Sequence, residues 1–258
     1  MSDSLQLASW NVNSLKVRLP HVEQWLQSAA PDVLGLQETK LPDDRFPVEA
    51  IRELGYHVAY AGQPTYNGVA VLSRQPATDV VTDIPGMQDP QRRVLAATIG
   101  DLRFINLYVP NGSEVGSEKY AYKLEWLAHL RDWLADELTR HPRLAVAGDF
   151  NIAPGPEDVH DPAEWEGKVL CSQPEREALQ SLLALGLVDA FGQVDPPENR
   201  FTWWDYRAAA FRRNRGLRID HILVTPPLAE RCRDFTIHLE PRRWERPSDH
   251  APVTATFA

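Results

Sequence analysis

The sequence predicts a mixed α/β fold, built as one domain over residues 1–258. Short apolar runs typical of strands recur along the whole chain, and helical or turn-rich segments separate them. These runs are LQLASWNV, DVLGLQE, GVAVLS, RVLAATI, LRFINLYV, RLAVAGDF, DHILV and APVTATF. The runs RVLAATI and LRFINLYV meet at Gly100-Asp101, a turn signal that indicates an antiparallel hairpin. The predicted sheets are therefore not purely parallel.

Two segments carry helical signals. In YAYKLEWLAHLRDWLADELTRH, apolar residues from Tyr120 to Leu138 recur at three- and four-residue steps, which predicts one amphipathic helix. A second helix is predicted over PEREALQSLLALG, where Pro174 suits a first turn and Gly186 a C-terminal cap. Stretches that contain proline, such as NIAPGPEDVHDP, are predicted as surface loops and not as domain boundaries.

Composition limits the class of protein. The chain is 43% apolar and 24% charged, and no apolar run approaches the ~20 residues of a membrane span, which indicates a soluble globular protein without a membrane partner. The start MSDSLQLASWNV does not look like a secretory signal, so we expect a cytoplasmic location. Cys171 and Cys232 form neither a CxxC pair nor a zinc spacing, which predicts two reduced, partly buried thiols.

The charge distribution leaves two possibilities open. Lys and Arg number 27 and Asp and Glu 36, so the net charge of −9 disfavours a polyanionic partner. Arginines nevertheless cluster in FRRNRGLR and EPRRWERP. They are Arg212, Arg213, Arg215 and Arg218 in the first segment and Arg242, Arg243 and Arg246 in the second. From charge alone, these segments are either a basic binding edge or an ordinary solvated surface.

Polar residues mark the ends of many predicted strands. Those that follow a strand-like run are Asn11, Asn13, Glu38, Tyr108, Asn111, Asp149 and Asn151. Asp220 opens DHILV, and Asp249-His250 precede APVTATF, so strands of opposite direction would bring all these groups to one edge. Each residue alone is typical of a strand end or turn. Together they supply the carboxylate and amide oxygens that Mg²⁺ prefers.

Spacing predicts how some of these side chains are arranged. Asp149 and Asn151 are two residues apart, so in an extended strand both point to one face. Asp249 and His250 are adjacent, so they are expected to contact different partners. Motifs of other enzyme classes are missing from the sequence, namely GxSxG, HExxH, GxxxxGK[ST] and GxGxxG.

Seven ordered motifs resemble those of the exonuclease III family of abasic-site endonucleases. They are LASWNVNSLKVRLP, DVLGLQETK, LYVPNG, GDFNIAP, RFTWWDYR, NRGLRIDHIL and RPSDHAPV. The resemblance implies a four-layer α/β sandwich, with two packed mixed β-sheets flanked by helices. It also implies Mg²⁺-dependent hydrolysis of phosphodiester bonds in double-stranded DNA, as an abasic-site endonuclease, a 3′→5′ exonuclease with 3′-end cleaning, or both.

The same resemblance assigns catalytic and metal-binding roles by position. Glu38 would be the main Mg²⁺ ligand, with Mn²⁺ as a possible substitute, and Asn13 and Asp249 would contribute directly or through water. Asn13 departs from the acid that some relatives carry. Asp149 would orient or deprotonate the attacking water with help from Asn151.

Other residues would contact the substrate. By resemblance, His250 reaches the scissile phosphate, and Asp220 orients the His250 imidazole. The remaining substrate contacts fall into three sets. Phosphate-binding residues near the cut are Asn11, Tyr108 and Asn111; walls of a pocket for a flipped abasic sugar are Trp203, Leu217 and Ile219; further phosphate contacts are Arg92, Arg212 and Arg215.

Two rival functions stay open in the sequence. One is a phosphodiesterase or phosphatase of the same superfamily that acts on inositol phosphates or lipid head groups, and the other is a non-catalytic nucleic-acid-binding regulator. The motif NRGLRID argues against the first and the complete polar set argues against the second. The preferred partner is abasic, nicked or 3′-blocked duplex DNA, bound by a monomer. His160 or Trp165, in the loop after RLAVAGDF, would narrow the abasic pocket or simply lie on the surface.

Overall fold

The computed structural model describes residues 4–195 and 197–258, which contain twelve strands and six helices. The strands are β1 Leu5–Asn11, β2 Val33–Gln37, β3 His57–Ala61, β4 Val69–Ser73, β5 Ala77–Val81, β6 Val94–Ile99, β7 Leu102–Tyr108, β8 Leu144–Asp149, β9 Val188–Asp189, β10 Asp220–Val224, β11 Cys232–Ile237 and β12 Val253–Phe257. The helices are α1 Leu15–Ala29, α2 Val48–Glu53, α3 Glu118–Arg140, α4 Pro162–Trp165, α5 Gln173–Leu183 and α6 Pro226–Ala229.

The strands form two six-stranded mixed sheets. The first has the order β11-β12-β1-β2-β4-β3 and the second β5-β6-β7-β8-β10-β9. The pairs β1–β2 and β7–β8 are parallel, and the other neighbours are antiparallel. The hairpin predicted at Gly100 joins β6 to β7, and Gly100 takes the left-handed conformation that such a tight turn requires (φ 61°). The prediction of mixed sheets is confirmed.

Three apolar cores hold four layers together. The central core lies between the sheets and includes Leu7 and Val71 from the first sheet with Phe104 and Ile222 from the second. The opposite face of the first sheet packs on α1 and α2, and that of the second packs on α3 and α5. The four-layer sandwich implied by the sequence resemblance is therefore confirmed.

The two predicted helices are present, with adjusted ends. Helix α3 begins before the predicted stripe because the Ser117 hydroxyl accepts a hydrogen bond from the Tyr120 N–H at 3.2 Å. Helix α5 ends at Leu183, and Gly186 follows in a left-handed conformation (φ 103°). Helices α1 and α2 and strands β3, β5, β9 and β11 were not predicted. No helix in the described ranges is long and apolar enough to span a membrane. Cys171 and Cys232 are buried free thiols, as expected.

Strand register gathers the polar strand ends at one edge of the sandwich. In the second sheet Asp149 pairs with both Tyr108 of parallel β7 and Asp220 of antiparallel β10. In the first sheet Asn11 ends β1, and His250 lies three residues before the start of β12 at Val253. Parallel and antiparallel neighbours thus present opposite chain ends at a common edge, as the sequence predicted.

Candidate active site

The centre of this edge is a buried triad of Asp220, His250 and Asp149. His250 Nδ1 lies 2.9 Å from Asp220 Oδ2, and His250 Nε2 lies 3.6 Å from Asp149 Oδ2. All three side chains are at most 4% exposed. The predicted pairing of His250 with Asp220 is confirmed, and the imidazole has a carboxylate on each side.

The charges of the triad fix its protonation. Burial by itself would lower the pKa of His250, but the Asp220 and Asp149 carboxylates outweigh it and raise that pKa well above the ordinary value, so the ring is an imidazolium at neutral pH. Burial raises the pKa of Asp149, and the His250 charge lowers it only in part. Asp149 is therefore a stronger base than an exposed aspartate.

The backbone around His250 is fixed by the first sheet. Its N–H donates to the Ser248 hydroxyl at 3.2 Å, and that hydroxyl donates to the Asn11 carbonyl at 2.6 Å. The Trp10 indole N–H donates to the His250 carbonyl at 3.2 Å. The imidazole is thus supplied by the first sheet, while both carboxylates of the triad come from the second.

Asn11 connects the triad to Glu38. Its Nδ2 group donates to Asp149 Oδ2 at 2.9 Å and to Glu38 Oε1 at 3.0 Å. The remaining Asn11 oxygen accepts from the Asn13 N–H at 3.0 Å. One amide therefore bridges the predicted water-activating residue and the predicted metal ligand.

The side-chain amides of Asn151 and Asn111 are hydrogen-bonded to each other, but Asn151 does not lie in the extended strand that the sequence predicted. Strand β8 ends at Asp149, and Asn151 has a left-handed backbone (φ 50°), so the extended spacing assumed from the sequence is wrong. Instead the chain turns back, and the Asn151 N–H donates to Asp149 Oδ1 at 2.9 Å. Asn111 Nδ2 donates to Asn151 Oδ1 at 3.2 Å. The turn, not strand alternation, brings these residues together.

The three predicted metal ligands are linked through Lys40. Its Nζ lies 2.9 Å from Glu38 Oε2 and donates to Asn13 Oδ1 at 2.6 Å. Asn13 Nδ2 donates to Asp249 Oδ1 at 3.0 Å. The oxygens of Glu38 and Asn13 already bind the Lys40 ammonium. Carboxylate and amide oxygens are also the ligands that Mg²⁺ prefers. The donor set therefore fits a divalent cation.

The triad is a poorer candidate for the metal ligands, although its ligand atoms lie within 4.8 Å of one another. The two nitrogens of the His250 ring face the Asp220 and Asp149 carboxylates at 2.9 and 3.6 Å, whereas Mg²⁺ prefers oxygen ligands. The triad is better described as a hydrogen-bonded acid–base group.

Asp249 and His250 contact different partners, as predicted. Asp249 Oδ2 accepts from the Trp203 indole N–H at 3.0 Å and its other oxygen accepts from Asn13, whereas His250 faces Asp220 and Asp149.

Several residues of this site have a left-handed backbone conformation. Non-glycine residues of the site with this conformation are Asn13 (φ 44°), Glu38 (φ 51°), Lys40 (φ 53°) and Asn151 (φ 50°). For Glu38 and Lys40 this conformation costs on the order of 1 kcal/mol, whereas asparagine adopts it more readily.

Tyr108 lies near the Glu38 carboxylate and also lines a cavity with mostly polar side chains. Burial, with the nearby Glu38 and Asp149 carboxylates, raises the pKa of its phenol, so the hydroxyl stays protonated. The Arg93 guanidinium lies 4.7 Å from the Tyr108 ring centroid. The cavity has a volume of about 480 Å³, and its walls include Tyr108, Asn111, Arg93 and Lys119.

The structure distinguishes the two neighbouring arginines Arg92 and Arg93. Arg92, the predicted phosphate contact, is paired with Asp83 at 3.0 Å and does not line the cavity; Arg93 does. Sequence analysis missed Arg93, Lys40 and Lys119. Adjacent arginines differ only in the face they present, and the sequence did not fix that face.

A buried apolar cluster adjoins Asp249 through Trp203. Leu217 and Ile219 are buried in one cluster with the partly exposed rings of Trp203 and Trp165. Trp203 and Trp165 are edge to face, with ring centroids 6.4 Å apart. The three predicted wall residues lie together with Trp165, but Leu217 and Ile219 are 0% and 1% exposed, so of the three only Trp203 presents a surface to a ligand. Of the two adjacent tryptophans, Trp204 is buried in the core between the sheets, and Trp203 faces the site.

The predicted basic segments are only partly on the surface. Arg218 is buried and paired with Asp158 and Asp189, and Arg242 is buried and donates to the Ser248 carbonyl, so neither belongs to a basic edge. Buried arginines are usually paired in this way, and the residue type alone gives no sign of it.

Arg215 and Arg212 have different surroundings. Arg215 pairs with Glu164 and donates from Nε to His160 Nε2 at 3.1 Å, so it fastens the loop after β8. Arg212 is exposed and lines a separate cavity of about 390 Å³, beside Phe211 and Arg243. The exposed cations of the two basic segments are Arg212, Arg213, Arg243 and Arg246.

Comparisons with known proteins agree with this geometry. Residues 8–250 match the endonuclease/exonuclease/phosphatase family. Exodeoxyribonuclease III of Haemophilus influenzae is 39% identical, over 98% of this chain and 100% of its own length. A variant of the 3′ phosphatase NExo from Neisseria, solved with a product DNA hairpin, has a TM-score of 0.97 and 50% identity over 98% of this chain and 99% of that one.

An AP endonuclease from Archaeoglobus fulgidus has a TM-score of 0.94 and 40% identity, again over 98% of this chain and 99% of that one. These similarities extend over nearly the whole chain and include every element that carries a triad residue. The chain therefore belongs to the endonuclease/exonuclease/phosphatase family, in its exodeoxyribonuclease III branch.

Proposed function

We propose that this protein is a divalent-metal-dependent DNA repair nuclease that hydrolyses phosphodiester bonds of duplex DNA at abasic sites and at nicked or blocked 3′ ends. The observation that carries the proposal is the Asn11 amide, which joins the buried Asp220–His250–Asp149 triad to Glu38. A base, a fixed cation and a set of oxygen ligands within reach of one another suit attack of water on a phosphate.

In this mechanism Asp149 is the general base. Its raised pKa lets it accept a proton from water as the water oxygen bonds to phosphorus and the bond from phosphorus to the 3′ oxygen breaks; that oxygen leaves and takes a proton from solvent. The Asn151 N–H and the Asn11 amide hold the Asp149 carboxylate in place. His250, charged and oriented by Asp220, donates to a non-bridging oxygen of the scissile phosphate and stabilises the charge that develops there.

Glu38, with Asn13 and Asp249, would hold Mg²⁺, or Mn²⁺ in its place. Held by these residues, such an ion would supply positive charge to stabilise the charge that develops on the phosphoryl oxygens. Trp203 keeps one Asp249 oxygen fixed through its indole N–H, which leaves that carboxylate in a single orientation.

Tyr108 and Asn111 hydrogen-bond the scissile phosphate or a neighbouring phosphate of the cut strand. The protonated phenol and the amide are neutral donors at the mouth of the cavity that Arg93 and Lys119 also line. Cations there attract the backbone whatever its sequence. The net charge of −9 is compatible with this binding because local cations, not the total charge, contact the phosphates.

The partly exposed Trp203 ring, packed on the buried Leu217 and Ile219, offers an apolar surface to a sugar that has lost its base. Such a nucleotide has no base to unstack or unpair when it flips. The names of the Archaeoglobus and Neisseria relatives, an AP endonuclease and a 3′ phosphatase, support both substrates. His160 and Trp165 line the same loop, with ring centroids 6.4 Å apart, and we infer that their bulk sets the balance between these activities. We further infer that the protein acts as a cytoplasmic monomer.

A substrate comparison tests the proposal. Purified protein is incubated with three end-labelled duplexes, which carry an abasic site, a nick with a 3′-phosphate, or no damage, each with Mg²⁺ or with excess chelator. We expect incision or 3′-end removal on a damaged duplex with Mg²⁺ and no reaction in chelator. Hydrolysis of an inositol phosphate with none of the DNA substrates cleaved would contradict the proposal, and so would binding without any cleavage.

A further inference from the structure

A buried lysine lies directly behind the site. Lys123, on the second turn of α3, is completely buried, and its Nζ makes three hydrogen bonds. It donates to the Asn151 carbonyl at 2.6 Å, to the Asn111 carbonyl at 3.1 Å, and to a carboxylate oxygen of Glu175. An ammonium has three donors, so each is used.

Glu175 anchors the other side of this ion pair. It is completely buried on α5, where it closes the capping box by accepting from the Ser172 N–H at 3.1 Å. It also accepts from the Leu170 N–H at 3.0 Å and from the Ser172 hydroxyl. The start of α5 and the loop before it therefore fix the Glu175 carboxylate, which in turn binds the Lys123 ammonium.

The lysine ties together two separate chain segments. Asn111 follows β7 and Asn151 follows β8, and their side chains already share a hydrogen bond of 3.2 Å. Asn151 has a left-handed backbone, and its carbonyl is held by Lys123 Nζ at 2.6 Å. Lys123 binds the main-chain carbonyl of each residue, so the position of both amide side chains depends on one ammonium.

This arrangement is costly as a source of stability alone. Burial lowers the pKa of Lys123, and the charge of Glu175 is the largest opposing effect. A buried ion pair commonly stabilises a fold no better than apolar side chains of the same size. A role in fixing the site explains its placement where stability alone does not.

We propose that the Lys123–Glu175 ion pair is a positioning device for catalysis, which fixes the Asn111 and Asn151 amides against Asp149 and the substrate phosphate. The inference rests on the proposed nuclease function, since it concerns the chemical step of that reaction. Lys123 touches no substrate itself; it acts through the two carbonyls that it binds.

The chain offers a matched control pair, with its glutamate on the same helix α3 and its arginine on β7. Arg103 and Glu137 form a second buried ion pair, with side chains 3% and 2% exposed and a distance of 2.6 Å. Arg103 also donates to a main-chain carbonyl, that of Asp79, at 2.7 Å. Glu137 lies fourteen residues along α3 from Lys123, or about 21 Å at 1.5 Å per residue. Neutralising this pair removes similar interactions far from the site.

The test compares Lys123→Met/Glu175→Gln with Arg103→Met/Glu137→Gln. Both doubles avoid an unpaired buried charge. We expect the first to lower kcat on abasic or nicked duplex by about 10²-fold with KM nearly unchanged, because small misplacement of catalytic groups costs that much. We expect the second to keep the kcat of the unaltered protein, even if its thermal midpoint falls as far.

Equal kcat losses in the two doubles, or an unchanged kcat in the first, would overturn the inference. If the first double does not fold, Glu175→Gln alone is compared with Glu137→Gln; each keeps an acceptor oxygen, and only Glu175→Gln is expected to lower kcat. An unaltered protein that cleaves no DNA contradicts the proposed function instead, whereas a cleaving protein with a fully active Lys123→Met/Glu175→Gln variant contradicts only the positioning role.

Discussion

Replacement of Asp220 by asparagine should shift the pH dependence of the reaction. His250 Nδ1 lies 2.9 Å from the Asp220 carboxylate, and both side chains are almost fully buried. Charges ~4 Å apart attract by about 4 kcal/mol at an effective dielectric constant of ~20, which is about 3 pKa units at 1.36 kcal/mol per unit. Because Asp149 remains and the site relaxes, we expect the pKa of His250 to fall by about 1–3 units.

The direction of the shift follows from the role of the charge. The Asp220 carboxylate stabilises the imidazolium and raises the pKa of His250. Without it, His250 loses its proton at lower pH, so the alkaline limb of the rate profile moves to lower pH. The assay is single-turnover cleavage of a duplex with a stable abasic analogue, from mildly acidic to alkaline pH. Asp249→Asn is the control. It should raise the Mg²⁺ concentration needed for half-maximal rate and shift the alkaline limb of the pH–rate profile only slightly.

The paired role also predicts non-additive losses. Asp220→Asn and His250→Asn should each lower the plateau rate by about 10²–10⁴-fold, and the double variant should be little slower than the more damaging single. An alkaline limb that stays in place in Asp220→Asn, or single losses that multiply in the double, would refute the pairing of these residues as one unit.

Other changes test the cation site, the DNA contacts and the substrate pocket. Glu38→Ala should abolish most cleavage with little change in thermal midpoint, since Glu38 is at a strand end; full activity in excess chelator would remove the metal from the mechanism. Arg212→Ala/Arg213→Ala should weaken binding to unrelated duplexes and reduce the slope of log K against log salt by about 1 per lost phosphate contact; an unchanged slope places the basic edge elsewhere. His160→Ala should raise abasic incision relative to 3′-end removal; an unchanged ratio would exclude His160 as a determinant of this balance.

The strands that the sequence predicted and those that it missed differ in position. All eight interior strands appear as continuous apolar runs, because both faces of each are covered. The four missed strands, β3, β5, β9 and β11, are the four sheet edges. Strand β5, for example, is largely exposed and irregularly paired to β6, so it has no apolar run to detect. Burial, not strand propensity, made the interior strands visible.

Helix α1 was missed for a different reason. It contains Pro20 in its interior, a residue that usually ends a helix. Its buried residues, Val22, Trp25 and Leu26, nevertheless pack on the first sheet. Tertiary packing therefore outweighs a local preference that sequence reasoning takes as decisive.

Site residues were predictable where strand ends are polar and not where contacts are made across the fold. Asp149, Asp220 and His250 follow from strand ends and order. Lys123 and Arg218 do not, because a lysine on a helix or an arginine in a basic segment usually lies at the surface. Their partners are 52 and 60 residues away in sequence, so only the folded chain shows the pairing.

The most direct test of the proposed mechanism is the Asp149→Asn variant, because Asp149 alone is assigned to take the proton from water. Asparagine keeps the size of the side chain and an oxygen that can accept from the Asn151 N–H, but it is not a base. We predict that this variant binds abasic duplex as tightly as the unaltered protein and, with saturating Mg²⁺, cleaves it at least about 10³-fold more slowly in a single turnover. Cleavage by Asp149→Asn within about tenfold of the unaltered rate would contradict the mechanism, since general-base catalysis is worth more than that.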